Sequence, residues 1–366
     1  MRLFTTLMIL VSIQLLANDL NTCKSCHPII YQEFQKSYHK KSTIKEDIVH
    51  KAVWDKHPAK VKGKYKCAKC HTPEEKKDSA HQGVTCISCH TITSIEEHSK
   101  SNKNIYETKD KTLYSAQKGM EDKKVVYKEK SSWFGLIKES TGSPYHDIDY
   151  TNQDFYTGKI CMGCHSHKQN AHEFNVCTTD MAGAKNKESN CITCHMPKVE
   201  GSSTTIRQSK THAFHGFAGV RNAPNLLEKH IEINYKKADN GFEIIINNKA
   251  PHNLLTHPLR VVKLKTTIIR DGKREELKTE TFIKVIGTDN KPYMPWLATQ
   301  VVKDNMIKGN EKRVVKFDKK LQKGDEIEAI LGYHIVNPKS AQKLGIDQEK
   351  ELTKFTTLKR SYFKID

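Results

Sequence analysis

Apolar and polar positions change their spacing along this chain, and each change marks an element. An apolar run follows Met1-Arg2 and ends near Leu16-Ala17. Beyond it, Pro28 can open a helix, and Ile30, Phe34 and Tyr38 recur at four-residue steps, one helical face. A lysine-rich polar stretch from His98 to Tyr145, containing Trp133 and Phe134, reads as an exposed insertion, either a solvated loop or a docking element. From about Ala223 the pattern shifts again. His230–Tyr235, Phe242–Ile246, Arg260–Ile269, Arg313–Phe317, Glu326–Val336 and Phe355–Phe363 are rich in Ile, Val, Thr and aromatics. Gly, Asn, Asp and Lys clusters separate them, as turns separate strands. The expectation is an α+β chain: a loop- and helix-rich domain over 18–222, then an all-β sandwich over 223–366.

One basic residue, a short apolar segment and Ala17 describe a secretory signal peptide over residues 1–17. Leu15 is not the small residue usual two positions before a cut. The alternative is an uncleaved anchor, for which the run is short. No second span is visible, and no Cys stands at the cleavage region for a lipid anchor. The mature chain is expected to be exported, to the periplasm, without an integral span.

Five segments carry the chemistry: Cys23-Lys-Ser-Cys26-His27, Cys67-Ala-Lys-Cys70-His71, Cys86-Ile-Ser-Cys89-His90, Cys161-Met-Gly-Cys164-His165 and Cys191-Ile-Thr-Cys194-His195. Each is C-x-x-C-H, the attachment signature of c-type haem. Two thiols add to the vinyl groups of one porphyrin, and the adjacent imidazole becomes the proximal iron ligand. Paired C-x-x-C segments also build zinc ribbons, but zinc does not need His directly after the second Cys. A thioredoxin-like motif needs one C-x-x-C, beside a βαβ pattern. Five covalent haems are the cofactors expected. Of eleven cysteines only Cys177 is left over; it reads as a packed thiol, an intermolecular disulfide partner or a thiolate ligand.

Composition adjusts this picture. Hydrophobic residues make up 36% of 366, few for a large core. Five flat apolar porphyrins would supply burial that side chains do not, so the first domain is expected not to fold without them. The formal charge is +19, of which haem propionates would offset roughly 5 to 10. A balance this basic often marks nucleic-acid binding, but an exported cytochrome rarely meets any. An acidic redox partner or an anionic membrane surface, such as a membrane-bound quinol-oxidising system offers, fits better; a surface kept soluble by lysines fits equally.

The run from Cys23 through Phe34 and Ser37 to His39, and the block Gly83-Val84-Thr85-Cys86 to His90 with His98 soon after, resemble multihaem cytochromes c related to cytochrome c-554, a tetrahaem electron carrier. The resemblance covers roughly residues 20–170, with Cys67–His71 and Cys161–His165 as its second and fourth haem motifs. The fifth motif and all that follows depart from it. The resemblance implies that His39 is a distal ligand to the third haem and His98 to the first.

Other distal ligands are sought among the fourteen histidines outside the motifs. His146 precedes a motif in a Ser-Pro-aromatic setting. One of His212 and His215, three apart on what would be one helical side, serves the fourth or fifth haem, with His212 preferred. His252 lies in a segment similar to the Gly-His-x-x-Pro-Thr-Gly of sandwich domains attached to multihaem cytochromes, with a turn histidine as the alternative. His81 is a candidate for the second haem, open in the tetrahaem relatives. His50, His57, His167 and His172 remain as spares, and Met162 and Met196 are badly placed to bind their own haems.

These features favour a periplasmic pentahaem cytochrome that passes single electrons between respiratory partners. The rival is a multihaem oxidoreductase acting on a small nitrogen or sulfur compound at one open haem. No motif replaces its His with Lys, as pentahaem nitrite reductases do, and five haems are fewer than the eight of hydroxylamine oxidoreductases. Haem delivery is opposed by covalent attachment. No catalytic triad, phosphate loop or carboxylate pair stands out in the β region.

Overall fold

The computed structural model describes residues 20–63, 65, 67–73, 82–107, 111–131, 138–179 and 187–366. The expected signal peptide, His81, Trp133 and Phe134 lie outside them. Among the described residues no helix is long and apolar enough to cross a membrane.

The first half folds in short pieces. Apart from Pro28–Lys36 and Ile48–Asp55, its helices are mostly single turns. Asp47 caps the second of these, accepting from the N–H groups of Val49 and His50. The polar stretch after His98 is not a plain loop. Lys103–Tyr106 pairs back on Ile92–Glu96. Thr112–Tyr114 and Lys124–Val125 flank Asp147–Asp149, and Lys128–Ser131 pairs with Lys138–Thr141. Charged side chains mask its strand character, because most of its residues face solvent on at least one side.

The second half holds ten strands: β1 (Ile231–Ala238), β2 (Gly241–Asn248), β3 (Val261–Arg270), β4 (Lys273–Glu276), β5 (Glu280–Thr288), β6 (Lys291–Pro292), β7 (Gln300–Asp304), β8 (Lys312–Phe317), β9 (Glu326–His334) and β10 (Thr356–Lys364). One antiparallel sheet runs β1-β2-β8. The other runs β6-β5-β3-β9-β10, with β4 beside β3 and β7 beside β5. Strict alternation sends Phe242, Ile244 and Ile246 of β2 to one face, each at most 1% exposed. Leu264 of β3 and Ile327, Leu331 and Tyr333 of β9 meet them from the other sheet. Burying each such aliphatic side chain is worth about 1.5–3 kcal/mol. The hairpin β3–β4 turns at Asp271-Gly272, both with positive φ (47° and 74°), as a two-residue hairpin of this twist requires. Two short helices, Pro338–Leu344 and Lys350–Thr353, are added to the expected strands.

The halves join along one seam. Val49 and Ala52 of the first helical pair pack with Val336, Ala341, Leu344 and Ile346. The Tyr333 hydroxyl donates to Val220 O at 2.7 Å, and Asn170 donates to Pro295 O and Ala298 O at 2.9 and 2.6 Å. The connection 249–260 between β2 and β3 runs along this seam and carries His252 and His257 into the first half.

Candidate haem-binding site

Each C-x-x-C-H segment forms one helical turn. Cys86–His90 and Cys191–His195 are opened by capping boxes, Thr85 with Ser88 and Asn190 with Thr193. The others are Leu20–Cys26, Ala68–His71 and Met162–His165. A helical turn stacks positions i, i+3 and i+4 on one side, so both thiols and the imidazole face the same way. Gly83 allows the third turn to approach. A Cβ there would lie 2.3 Å from His39 O and Lys40 O. Gly158, at φ 74°, bends the chain into the fourth motif where a side chain would meet Cys191.

All five turns open into a single cavity of about 2580 Å³, several times the roughly 300–1,000 Å³ of a pocket for one small molecule. None of the eleven cysteines is disulfide-linked. The sulfurs of neighbouring motifs meet in pairs: Cys23 with Cys86, Cys70 with Cys164, Cys161 with Cys191.

Imidazoles face one another across this cavity. Two rings gripping one iron through their Nε2 atoms, at metal–nitrogen lengths of about 2 Å, place their centroids roughly 6 Å apart. His27 and His146 stand 6.3 Å apart, His90 and His215 6.3 Å, His195 and His252 6.0 Å, and His39 and His165 5.9 Å. The first three pairs are near-parallel, the last crossed at 86°. Their Nδ1 atoms are tied to backbone carbonyls: His27 to Ser203 and His90 to Tyr114 at 2.6 Å, His195 to Ala218 at 2.6 Å, His215 to Ala213 at 2.7 Å, and His252 to Asn253 at 2.8 Å. An Nδ1–H that donates to a carbonyl leaves the Nε2 lone pair free for a metal. Burial favours the neutral form of several of these rings. It lowers the pKa of His39 to about 3 and those of His71 and His215 to about 4, and pushes His90, His146, His165 and His252 down as well. Among the described residues no cluster of three or more His, Cys, Asp or Glu is arranged to hold a bare metal ion. The paired imidazoles, thiol turns and apolar cavity fit haem c.

Three sequence expectations are corrected. His39 faces His165 of the fourth motif, not His90 of the third. His98 is exposed, its Nδ1 accepting from Lys100 N at 3.1 Å; the ring opposite His27 is His146. His212 has both nitrogens engaged, Nδ1 with Gly201 O at 2.9 Å and Nε2 with Glu33 at 3.0 Å. His215 takes the place opposite His90 instead. The pair was expected on a helix, but His212 lies in the strand Thr211–Ala213, which points it at Glu33 and leaves His215 to the turn beyond.

His71 differs from the other motif histidines. The nearest ring, His50, lies 4.0 Å away, too close to share an iron. Its Nδ1 contacts Ser42 O at 2.8 Å and its Nε2 the Tyr65 hydroxyl at 3.1 Å. His71 Nδ1 uses the same Ser42 carbonyl, at 3.1 Å. Among the described residues no imidazole stands opposite His71. Cys177 lines the cavity on the motif-2 side, where burial raises its pKa and Cys70 adds to the rise. Its strand partner is Lys168.

A cavity lined by five such turns, with imidazoles set in facing pairs, is an arrangement that suits several covalently held haems. Residues 22–91 match the family described as cytochrome c554 and c-prime. No curated protein matches the chain. The fold is that of a penta-heme cytochrome c552 from Thermochromatium tepidum, with a TM-score of 0.69 at 21% identity over 94% of this chain and 97% of that one. The family match covers the first three haem motifs, and the structural likeness extends over both halves of the chain.

Proposed function

We propose that the chain is an exported pentahaem electron carrier of the periplasm, released from a signal peptide at residues 1–17. Residues 18–222 hold the haems and 223–366 form the β domain that completes the last one. Covalent attachment falls to Cys23 and Cys26, Cys67 and Cys70, Cys86 and Cys89, Cys161 and Cys164, and Cys191 and Cys194. His27, His71, His90, His165 and His195 are the proximal ligands. His146, His39, His215 and His252 close the first, fourth, third and fifth sites. When bound, haem c supplies one-electron chemistry at its iron. The imidazole pairs would hold the group from both sides, most of them tied to backbone carbonyls, so little would need to move on a change of charge. The paired sulfur contacts support a continuous set of sites: first with third, second with fourth, fourth with fifth. The fourth motif is the junction, because Cys89 of the third also acts electrostatically on Cys161 and Cys164. The partner is an acidic redox protein or one at an anionic membrane surface, in keeping with the +19 charge.

The observation that carries this reading is the set of facing imidazoles at 5.9–6.3 Å. Mass spectrometry and electron paramagnetic resonance of the purified protein test it. The expected result is five added haems, a Soret band and low-spin signals. A mass without added cofactor would overturn it. A second reading, conversion of a small nitrogen or sulfur compound, is favoured by one observation only, the lack of an imidazole opposite His71 among the described residues. A high-spin signal that responds to nitric oxide or hydroxylamine would favour it.

A further inference from the structure

The cavity wall carries donors that no iron-binding role explains. They come from the connection 249–260, where it passes the seam. Arg260 is surrounded by protein, and among the described residues its guanidinium has no hydrogen-bond acceptor; only its backbone is bonded, to His257 O at 3.0 Å. Burial, and then the neighbouring Arg221, lower its pKa to about 10. The carboxylate that acts on it, Asp47, is already engaged. It accepts from Arg221 Nη1 at 2.8 Å and from two N–H groups of the helix it caps. Arg221 Nε is itself buried without a partner. Two guanidinium groups thus share one carboxylate in a place sheltered from water, and an unmatched buried charge is costly.

His257 adds a third donor. Its ring is exposed, but onto the cavity, and burial drives its pKa to about 3. Its Nδ1 accepts from Leu259 N at 3.2 Å. A neutral imidazole whose Nδ1 accepts carries its proton on Nε2. This is the reverse of His27, His90, His195, His215 and His252, whose Nδ1 atoms donate to carbonyls. In this form His257 can donate into the cavity and cannot bind iron. His71 is among the charges that act on it.

We propose that Arg260, Arg221 and His257 form an oxyanion site in the cavity wall on the side of His71. A guanidinium fork with an adjacent N–H donor suits a carboxylate or a small inorganic oxyanion. Two sources offer that chemistry: a propionate of a bound haem, or a free anion such as nitrite or sulfite. The site rests on the reading of the cavity as a haem site.

The test uses the full-length, haem-loaded protein and its Arg260→Gln and Arg260→Lys variants. Each is titrated with sodium nitrite and with sodium sulfite, followed by visible and paramagnetic resonance spectra, and each is taken through a spectroelectrochemical redox titration. If a propionate fills the site, R260Q lowers the midpoint potential of one haem, R260K lowers it less, and neither anion alters the parent spectra. If a free anion fills it, the parent responds saturably, and the dissociation constant rises roughly ten- to hundredfold in R260Q, the loss of a charged hydrogen bond. R260K again shows a smaller change of the same sign. Variants with a full haem complement, parental potentials and parental anion response overturn the site; should R260Q not fold, an unchanged R260K does so. A parent protein without a Soret band would sink the haem reading and the site with it, whereas unchanged variants sink the site alone.

Discussion

His212 and His215 show how much one residue's surroundings decide. Both histidines lie beside the same glutamate: Glu33 Oε1 meets His212 Nε2, and Glu33 Oε2 accepts the backbone N–H of His215 at 2.8 Å. The first ring is consumed by this contact and the second is set free by it. His212→Gln is therefore expected to leave the low-spin signals intact and to cost stability of about 1 kcal/mol, a typical hydrogen bond. His215→Ala is expected to convert the site of His90 to high spin. Paramagnetic resonance of the two variants checks this, and loss of a low-spin signal in H212Q would reverse the assignment. The motif histidines were legible because their chemistry is local: thiol, thiol and imidazole lie within one turn. Their partners were legible only in part. The sequence singled out His146 and His252 by their neighbours, but it also chose His98, which is exposed, and preferred His212 to His215, because which ring reaches the cavity is set by distant segments.

At the scale of elements, runs rich in Ile, Val, Thr and aromatics, set apart by Gly, Asn, Asp and Lys, made the β domain readable; in β2 every second residue is buried. The strands between His98 and Tyr145 escaped notice because they are two to four residues long and mostly polar, so no run of apolar residues marks them. They matter all the same, since the Tyr114 carbonyl in this stretch anchors His90. Charge also fastens the β domain at its edge. Arg270 of β3 grips Asp325, just before β9, through two bonds of 2.7 Å. This pairing holds the Asp325 carboxyl below its usual value of 3.8. A carboxylate with a lowered native pKa stabilises the fold above its unfolded pKa, and that contribution is lost as pH falls through the native one. Asp325→Asn is expected to lower the urea midpoint at pH 7, with the difference from the parent shrinking below pH 3.8. Urea unfolding at both pH values checks it. A difference that persists unchanged in acid would show that packing, not charge, holds this corner.

For the whole molecule, the two halves differ in what holds them. The β domain has its own apolar core, from Ile231 through Tyr333. Among its described residues the first half has few buried apolar side chains, Phe34, Trp54, Ile92 and Phe155 among them, set around a cavity. Produced without haem attachment, the chain is expected to keep the β-sheet circular dichroism of 223–366 while 18–222 becomes open to protease. Limited proteolysis with mass mapping reads this directly. Fragments that begin far from residue 223 would move the boundary, and a protected first half would show that haem is not what holds it.

The contact between His27 and Ser203, 176 residues downstream, has a consequence for biogenesis. The imidazole made first is anchored by backbone made much later, and the ring facing His195 arrives only with the final third of the polypeptide. No early portion can finish its own metal environment as it emerges. Were haem joined to the first thiols while the chain emerges, it would be joined to loose chain, and this geometry would be set only when the tail closes over it.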